Sequence, residues 1–318
     1  MKSNRSGIYF FTFGALVIAT IIIITITLQL NSKITTAGET SDEDFPQGYK
    51  ITSPKIPTYL ELAGEIIPID NFEVYERMER EFISNTYFHS ATILALKRVT
   101  RWFPVIEPIL KRNNIPDDFK YLCVAESNLD NVISPAGATG FWQFMKPAGE
   151  KYGLEINSLV DERYNVEKST EAACKYLKDS YDMFGNWILS AASYNMGQDG
   201  VKLQMERQQA KNYFNLVLNS ETSRFVARIV SLKYILQNPE AYGFDIKADE
   251  KYKPLEFYEI KLDSSVSDFP DYAKNLGINY FILKMYNPWL RDNYLSNKSK
   301  QVYMIKLPTE GSIEIIKD

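Results

Sequence analysis

The hydrophobic pattern opens on an uncharged run from Ile8 to Leu30, preceded by Lys2 and Arg5 and followed by Lys33. About 23 apolar-rich residues at roughly 1.5 Å each span about 35 Å, enough to cross a bilayer and longer than the apolar core of a secretory signal. The run therefore predicts a transmembrane helix over 8–30. The positive charges lie before it, and Asp42, Glu43 and Asp44 lie after it, so residues 1–7 are expected in the cytoplasm and the rest outside. Thr36-Ala37-Gly38 offers a weak alternative reading as a cleavage site. Residues 31–57 are polar and carry Pro46, Gly48, Pro54 and Pro57, which predicts a flexible linker.

From about 70 to 240 the pattern is helical almost throughout. Leu96, Val99, Phe103, Ile106 and Leu110 recur at steps of three and four and form one apolar stripe. Ala173, Tyr176, Leu177, Ser180 and Phe184 form a second, stopped by Gly185. Leu216, Val217, Phe225, Val226, Ile229, Leu232 and Ile235 predict further buried helix. The last 70 or so residues change character. The alternation in Leu255–Leu262 predicts a strand, Asp268–Leu276 and Tyr280–Tyr286 predict helices, and Gln301–Leu307 predicts a second strand. That order describes a small α+β module with its own sheet.

Composition narrows the chemistry. The net charge of −4 implies no strongly basic face, which argues against nucleic acid as a partner. The single histidine, His89, excludes a Ser-His-Asp triad unless it is itself the base, and it excludes His-rich zinc sites. His89 reads as structural. Cys123 and Cys174 fall on predicted helices and read as buried free thiols, although a disulfide between them stays open.

One carboxylate stands in an unusual place. Pro116 suits a first helical position, and Asp117 and Asp118 suit a first turn. Phe119, Leu122 and Cys123 then form an apolar stripe, and its next member, at i+7, is Glu126. Burying an ionised carboxylate is costly and raises its pKa, leaving an acid protonated near neutrality. Such an acid can protonate the leaving oxygen of a glycosidic bond. On the helix pattern alone, Glu126 could equally pair with an Arg or Lys, or reach solvent at the helix end.

Glu126-Ser127 is followed by Ser134-Pro135-Ala136-Gly137-Ala138-Thr139-Gly140-Phe141-Trp142-Gln143-Phe144-Met145-Lys146-Pro147, then by Ala191-Ala192-Ser193-Tyr194-Asn195-Met196-Gly197 and Glu221-Thr222-Ser223-Arg224-Phe225-Val226. This set, in this order and spacing, resembles the catalytic domain of the soluble lytic transglycosylases, most nearly the membrane-bound lytic murein transglycosylases of type D. The resemblance covers roughly residues 80–240. Phe141-Trp142 stands where the family more often has Leu-Met, and Lys146 is an insertion before Pro147.

The resemblance implies a mainly α chain: a lysozyme-like helical catalytic domain over 58–245 and a small C-terminal α+β module over 246–318, which loosely resembles a LysM domain. With the N-terminal transmembrane helix, it implies an enzyme held by a single span in the inner membrane, with a periplasmic linker over 31–57 and a periplasmic catalytic domain. The implied partner is peptidoglycan, with no metal and no cofactor; protein partners are not indicated. Glu126 would be the catalytic acid and then the base. Ser127, Gln143, Met145, Tyr194, Asn195 and Glu221 would be substrate-binding. The implied reaction cleaves the bond from N-acetylmuramic acid to N-acetylglucosamine and leaves a 1,6-anhydro end, the sugar's own C6 hydroxyl replacing water. A hydrolytic muramidase on the same fold and a non-catalytic wall-binding scaffold are the alternatives. Asp130 reads as loop and Asp161 as a helix-start residue.

Overall fold

A computed structural model describes residues 51–314. The expected cytoplasmic segment, the expected membrane span over 8–30 and most of the linker lie outside the described residues. Among the described residues no helix is long and apolar enough to cross a membrane.

The body is helical. A short hairpin, β1 (Glu61–Leu62) and β2 (Glu65–Ile66), precedes α1 (Phe72–Tyr87), α2 (His89–Arg112), α3 (Phe119–Ser127), α4 (Lys146–Lys151), α5 (Val166–Phe184), α6 (Trp187–Met196), α7 (Gln198–Gln208) and α8 (Thr222–Gln237). The hairpin was not legible in the sequence; its turn uses Ala63 and Gly64 at positive φ. Helix α2 starts at His89 and runs through Pro104 and Pro108. Leu96, Ile106 and Leu110 of its expected stripe are buried, while Val99 and Phe103 are half-buried.

Helix α3 departs from expectation in an informative way. Asp117 and Asp118 precede it rather than fill its first turn: Asp117 pairs with Lys120, and Asp118 accepts from Lys233 Nζ at 2.8 Å and from the Ala63 N–H at 2.7 Å. The helix is not one-sided. Phe119, Lys120, Tyr121, Leu122, Cys123 and Val124 are all buried, so α3 lies among its neighbours instead of on the surface. Such a helix surrenders its water on every side, which places any carboxylate on it in a low dielectric.

Val217 corrects the reading of buried helix across 216–235. Leu216 is buried, but Val217 is 82% exposed, and α8 begins only at Thr222. Gln208 explains the loop: its side-chain amide donates to the Val217 carbonyl at 2.9 Å and accepts from the Val217 N–H at 2.7 Å. With both backbone groups satisfied by a side chain, the segment needs no helix. Both thiols, Cys123 and Cys174, are buried and free. Burial pushes the Cys174 thiol up to about 12, with Glu171 adding and Arg112 opposing.

The C-terminal part consists of β3 (Phe257–Leu262), α9 (Phe269–Asn275), α10 (Tyr280–Tyr286) and β4 (Tyr303–Pro308). The strands pair antiparallel from Phe257 with Pro308 to Leu262 with Tyr303. Phe269, Ala273, Leu283, Leu290, Ile305 and Leu307 make its core, and Val160 and Tyr164 of the body are buried in that same cluster. The Asp161 N–H donates to the Trp289 carbonyl at 2.9 Å and the Arg291 N–H to the Leu159 carbonyl at 2.8 Å. The module is therefore docked on the body by backbone as well as apolar contact.

Gly140 sits at φ +82°, where a Cβ would lie 2.0 Å from the Arg163 carbonyl oxygen. Gly140→Ala is expected to destabilise the protein by about 2–4 kcal/mol, from strain and overlap together. Thermal unfolding measures it, and an unchanged midpoint would contradict the close approach.

Candidate active site

Glu126 is the penultimate residue of α3, and the helix stops just beyond it. Asn128 takes the left-handed conformation, φ 55°, and its N–H closes on the Val124 carbonyl. The exit is pinned to α2: Asn128 Nδ2 donates to the Ala91 carbonyl at 3.0 Å, Arg98 Nη1 donates to the Asn128 carbonyl at 3.0 Å, and Arg98 pairs with Asp130 at 2.5 Å. Asp130 is thus a loop residue, as expected, with a structural partner. Asp161 caps the short 3-10 turn Glu162–Tyr164 and pairs with Arg163 at 2.7 Å.

The Glu126 side chain is half-buried, and no hydrogen bond or ion pair reaches it among the described residues. Of the readings left open by the helix pattern, no ion pair is found among the described residues, while the half-buried side chain keeps part of its surface open at the helix end. Burial pushes its pKa up to about 8; the positive charge of Arg228 opposes that rise, and the negative charge of Glu221 reinforces it. The carboxyl is consequently neutral through most of the neutral range and able to donate a proton.

The segment after α3 is held by its backbone. Ser127 Oγ donates to the Phe141 carbonyl at 2.7 Å. Tyr194 Oη donates to the Trp142 carbonyl at 2.8 Å, and Trp142 Nε1 donates to Thr170 Oγ1 at 2.8 Å. Arg163 Nη1 donates to the Gly137 and Phe144 carbonyls, each at 3.2 Å. Gln143 occupies a left-handed conformation, φ 49°, and its Nε2 donates to the Gly140 carbonyl at 2.7 Å and the Val132 carbonyl at 3.0 Å. Four side chains from separate elements therefore fix one loop beside the acid.

Two expected roles change in kind. Ser127 is buried, and its hydroxyl is engaged by the Phe141 carbonyl, so it holds the loop instead of facing a ligand. Gln143 has its amide nitrogen committed to its own loop and keeps Oε1 for other contacts. Met145 is 44% exposed at the start of α4.

Tyr194 and Asn195 come from the end of α6. The helix starts at the Asn186 cap, and the Glu65 carboxylate of β2 accepts from the Trp187 and Ile188 N–H groups at 2.5 and 3.0 Å. A carboxylate at a helix N-terminus is favoured by the dipole, so the unforeseen hairpin helps position this helix. Tyr194 has its pKa raised well above the usual phenol value by burial, with Glu126 the next contributor. Asn195 Nδ2 donates to Glu221 Oε1 at 3.2 Å, and Asn195 Oδ1 accepts from Thr222 Oγ1 at 2.7 Å. Glu126, Tyr194, Asn195 and Glu221 are thus one electrostatic neighbourhood, with the Gln143 loop bonded to it through Tyr194.

Sequence reasoning missed Glu81 and Arg228. Glu81 is buried on α1 and pairs with Arg224 at 3.4 Å and Arg228 at 3.5 Å, both on α8. The available signal was weak: Arg224 and Arg228 stand at i and i+4, but nothing in the sequence joins them to Glu81, which lies 143 positions before Arg224.

Residues 103–217 match the family described as the transglycosylase SLT domain, and residues 258–311 match the soluble lytic transglycosylase C-terminal LysM-like domain. The membrane-bound lytic murein transglycosylase D of Escherichia coli K12 is 26% identical over 242 residues, which is 74% of this chain and 52% of the relative; the same protein of Escherichia coli O6:H1 matches equally. The chain thus spans about half the length of the curated relatives it matches. Among solved structures, the 70 kDa soluble lytic transglycosylase of Escherichia coli aligns with TM-score 0.38 at 20% identity, covering 50% of this chain and 28% of that one. An inactive mutant of the lytic transglycosylase Slt from Pseudomonas aeruginosa aligns with TM-score 0.36 at 21% identity, covering 48% and 26%. The chain carries a transglycosylase SLT domain followed by a LysM-like domain of the kind found in soluble lytic transglycosylases. It is homologous to membrane-bound lytic murein transglycosylase D.

The Glu81 pair with Arg228 bears on the acid. Glu81→Gln removes a negative charge and frees the Arg228 guanidinium, and both changes favour ionised Glu126. The pKa of Glu126 is expected to fall from about 8 toward the ordinary carboxylate range. A ¹³C NMR titration of the Glu126 carboxyl in the variant checks this; an unmoved or raised inflection would contradict it.

Proposed function

We propose that this chain is a peptidoglycan lytic transglycosylase in which Glu126 is the single catalytic acid. The observation that carries the reading is a half-buried carboxyl with no ionic partner and a pKa pushed to about 8, inside a segment that matches the SLT domain. The names of the curated relatives, murein transglycosylases, point to the same substrate.

In this reading Glu126 protonates the oxygen joining N-acetylmuramic acid to N-acetylglucosamine. Glu126, now ionised, takes the proton of the C6 hydroxyl as that oxygen closes on C1. The product is a 1,6-anhydro sugar end. A nucleophile within the substrate removes the need for a second carboxylate to activate water, and closure within one ring system benefits from high effective concentration. Gln143, through Oε1, and Asn195 and Glu221 flank the acid and would contact the sugar on either side of the scissile bond. Tyr194 acts by holding the Trp142 carbonyl, and Met145 lies at the outer edge. Exclusion of water from the site by a bound glycan would suppress hydrolysis.

The catalytic domain over 58–245 and the module over 246–318 would stand outside the inner membrane, anchored by the span over 8–30. The match to a membrane-bound relative supports this placement. The LysM-like match supports glycan contact by the module.

Glu126→Gln is expected to lower cleavage of purified peptidoglycan by at least about 100-fold while leaving the unfolding midpoint within a few degrees of wild type. Mass spectrometry of the wild-type digest is expected to give anhydro ends. Wild-type rates in the variant would refute the assignment of the acid, and reducing ends would support the hydrolytic muramidase instead.

A further inference from the structure

Residues 155–164 are held from two sides. On the module side, the Asp161 N–H donates to the Trp289 carbonyl at 2.9 Å, and the Arg291 N–H donates to the Leu159 carbonyl at 2.8 Å. The Arg291 guanidinium lies 3.9 Å from the centre of the Tyr164 ring, a contact worth most where water is excluded, and Tyr164 is buried. Tyr303 Oη of β4 donates to the Glu155 carboxylate at 3.0 Å. Val160 and Tyr164 pack in the apolar cluster of the module. These residues belong to the body in sequence and to the module in packing.

On the other side, one side chain carries the connection to the loop beside the acid. Asp161 and Arg163 form a two-pronged pair: Oδ1 accepts from Nε at 2.9 Å and Oδ2 from Nη2 at 2.7 Å, with both side chains nearly buried. The pair fixes the guanidinium plane, because arginine presents its donors in a rigid fork. The remaining nitrogen, Nη1, then meets the Gly137 and Phe144 carbonyls, each at 3.2 Å, at the two ends of the stretch that carries Gln143. The Arg163 carbonyl also stands hard against Gly140, and Asn131 Nδ2 donates to the Tyr164 carbonyl at 3.2 Å. Ser127 and Tyr194 hold the centre of this loop from the helices of the body. Arg163 holds its ends, and is itself oriented by an aspartate whose backbone is bonded to the module.

We propose that Arg163 is a positioning residue through which the docked module sets the loop beside Glu126. Displacing Trp289 and Arg291 moves Asp161, Asp161 turns the arginine fork, and the fork moves the two carbonyls between which Gln143 is held. Close-packed contacts with few voids pass such a displacement on rather than absorb it. Lysine at 163 keeps the charge but cannot grip the carboxylate with two prongs and reach both carbonyls as well. The consequence for catalysis rests on the transglycosylase reading above; the mechanical link does not.

The test has two readouts. In the full chain in detergent carrying Glu126→Gln, with methionine methyl groups labelled for NMR, Met145 reports the loop and Met304 the fold of the module. Arg291→Pro removes both the N–H bonded to Leu159 and the guanidinium over Tyr164. It is expected to shift the Met145 resonance, whereas Arg291→Lys, which keeps an N–H and a cation, leaves it in place. If Met304 shows that the proline variant has lost the fold of the module, Arg291→Ala removes the guanidinium alone and is expected to move Met145 in the same direction by less. In the otherwise wild-type enzyme, Arg163→Lys and Arg291→Pro are each expected to lower kcat/KM on soluble glycan strands roughly tenfold, and together by about the same factor, because both break one link. Losses that multiply in the double variant, or a Met145 signal unmoved in a folded Arg291 variant, would overturn the proposal. A wild-type chain that cleaves no glycan would overturn the reading of Glu126 instead, and the Met145 comparison would still decide the link.

Discussion

A half-buried carboxyl group with no hydrogen-bonded or paired cation is the constraint on which the candidate site rests. Partial burial of Glu126 without an ion pair makes its charged form the expensive one, and the pKa rises to about 8. The sign of the linked stability effect follows. A carboxyl whose folded pKa exceeds its unfolded value lets the folded state bind the proton more tightly, so this contribution is fully present below the unfolded value near 4.5 and is lost as pH climbs toward about 8. The protein gives up some stability at neutral pH to keep a proton on one oxygen. Perturbation of this kind, beside other polar groups from different elements, is typical of functional sites.

The surroundings divide the work between charge and geometry. Glu221 and Arg228 act on Glu126 with opposite signs, and buried Glu81 pairs with Arg228. The loop from Val132 to Met145 is positioned almost wholly through its carbonyls, gripped by Ser127, Gln143, Arg163 and Tyr194. Backbone carbonyls are good handles because their position does not depend on rotamer, so the loop is set before any ligand arrives.

Much of this was legible in the sequence. The i, i+3, i+4, i+7 spacing from Phe119 put Glu126 where a core residue belongs, and the four motifs placed Tyr194, Asn195 and Glu221 around it. The alternation at Phe257–Leu262 and Tyr303–Leu307 gave the module its two strands. What stayed hidden depended on partners distant in the chain. Glu81 with Arg228, and Glu65 capping α6, join residues more than a hundred positions apart with no periodic signature. Val217 read as helix because its apolar side chain fits the pattern, but the capture of its backbone by Gln208 decided the outcome. Ser127 looked like a ligand-facing residue because it follows the acid, yet on a helix buried on every side its hydroxyl faces a carbonyl of the protein itself.

The central claim concerns one protonation state, and it can be observed directly. The carboxyl carbon of Glu126, labelled with ¹³C and assigned by comparison with Glu126→Gln, can be followed by NMR as pH is raised. The account predicts an inflection at about 8, with the neutral form dominant at pH 7. An inflection in the ordinary carboxylate range near 4.5 would show a group already ionised at neutrality, and the proton on which the proposed chemistry depends would be absent.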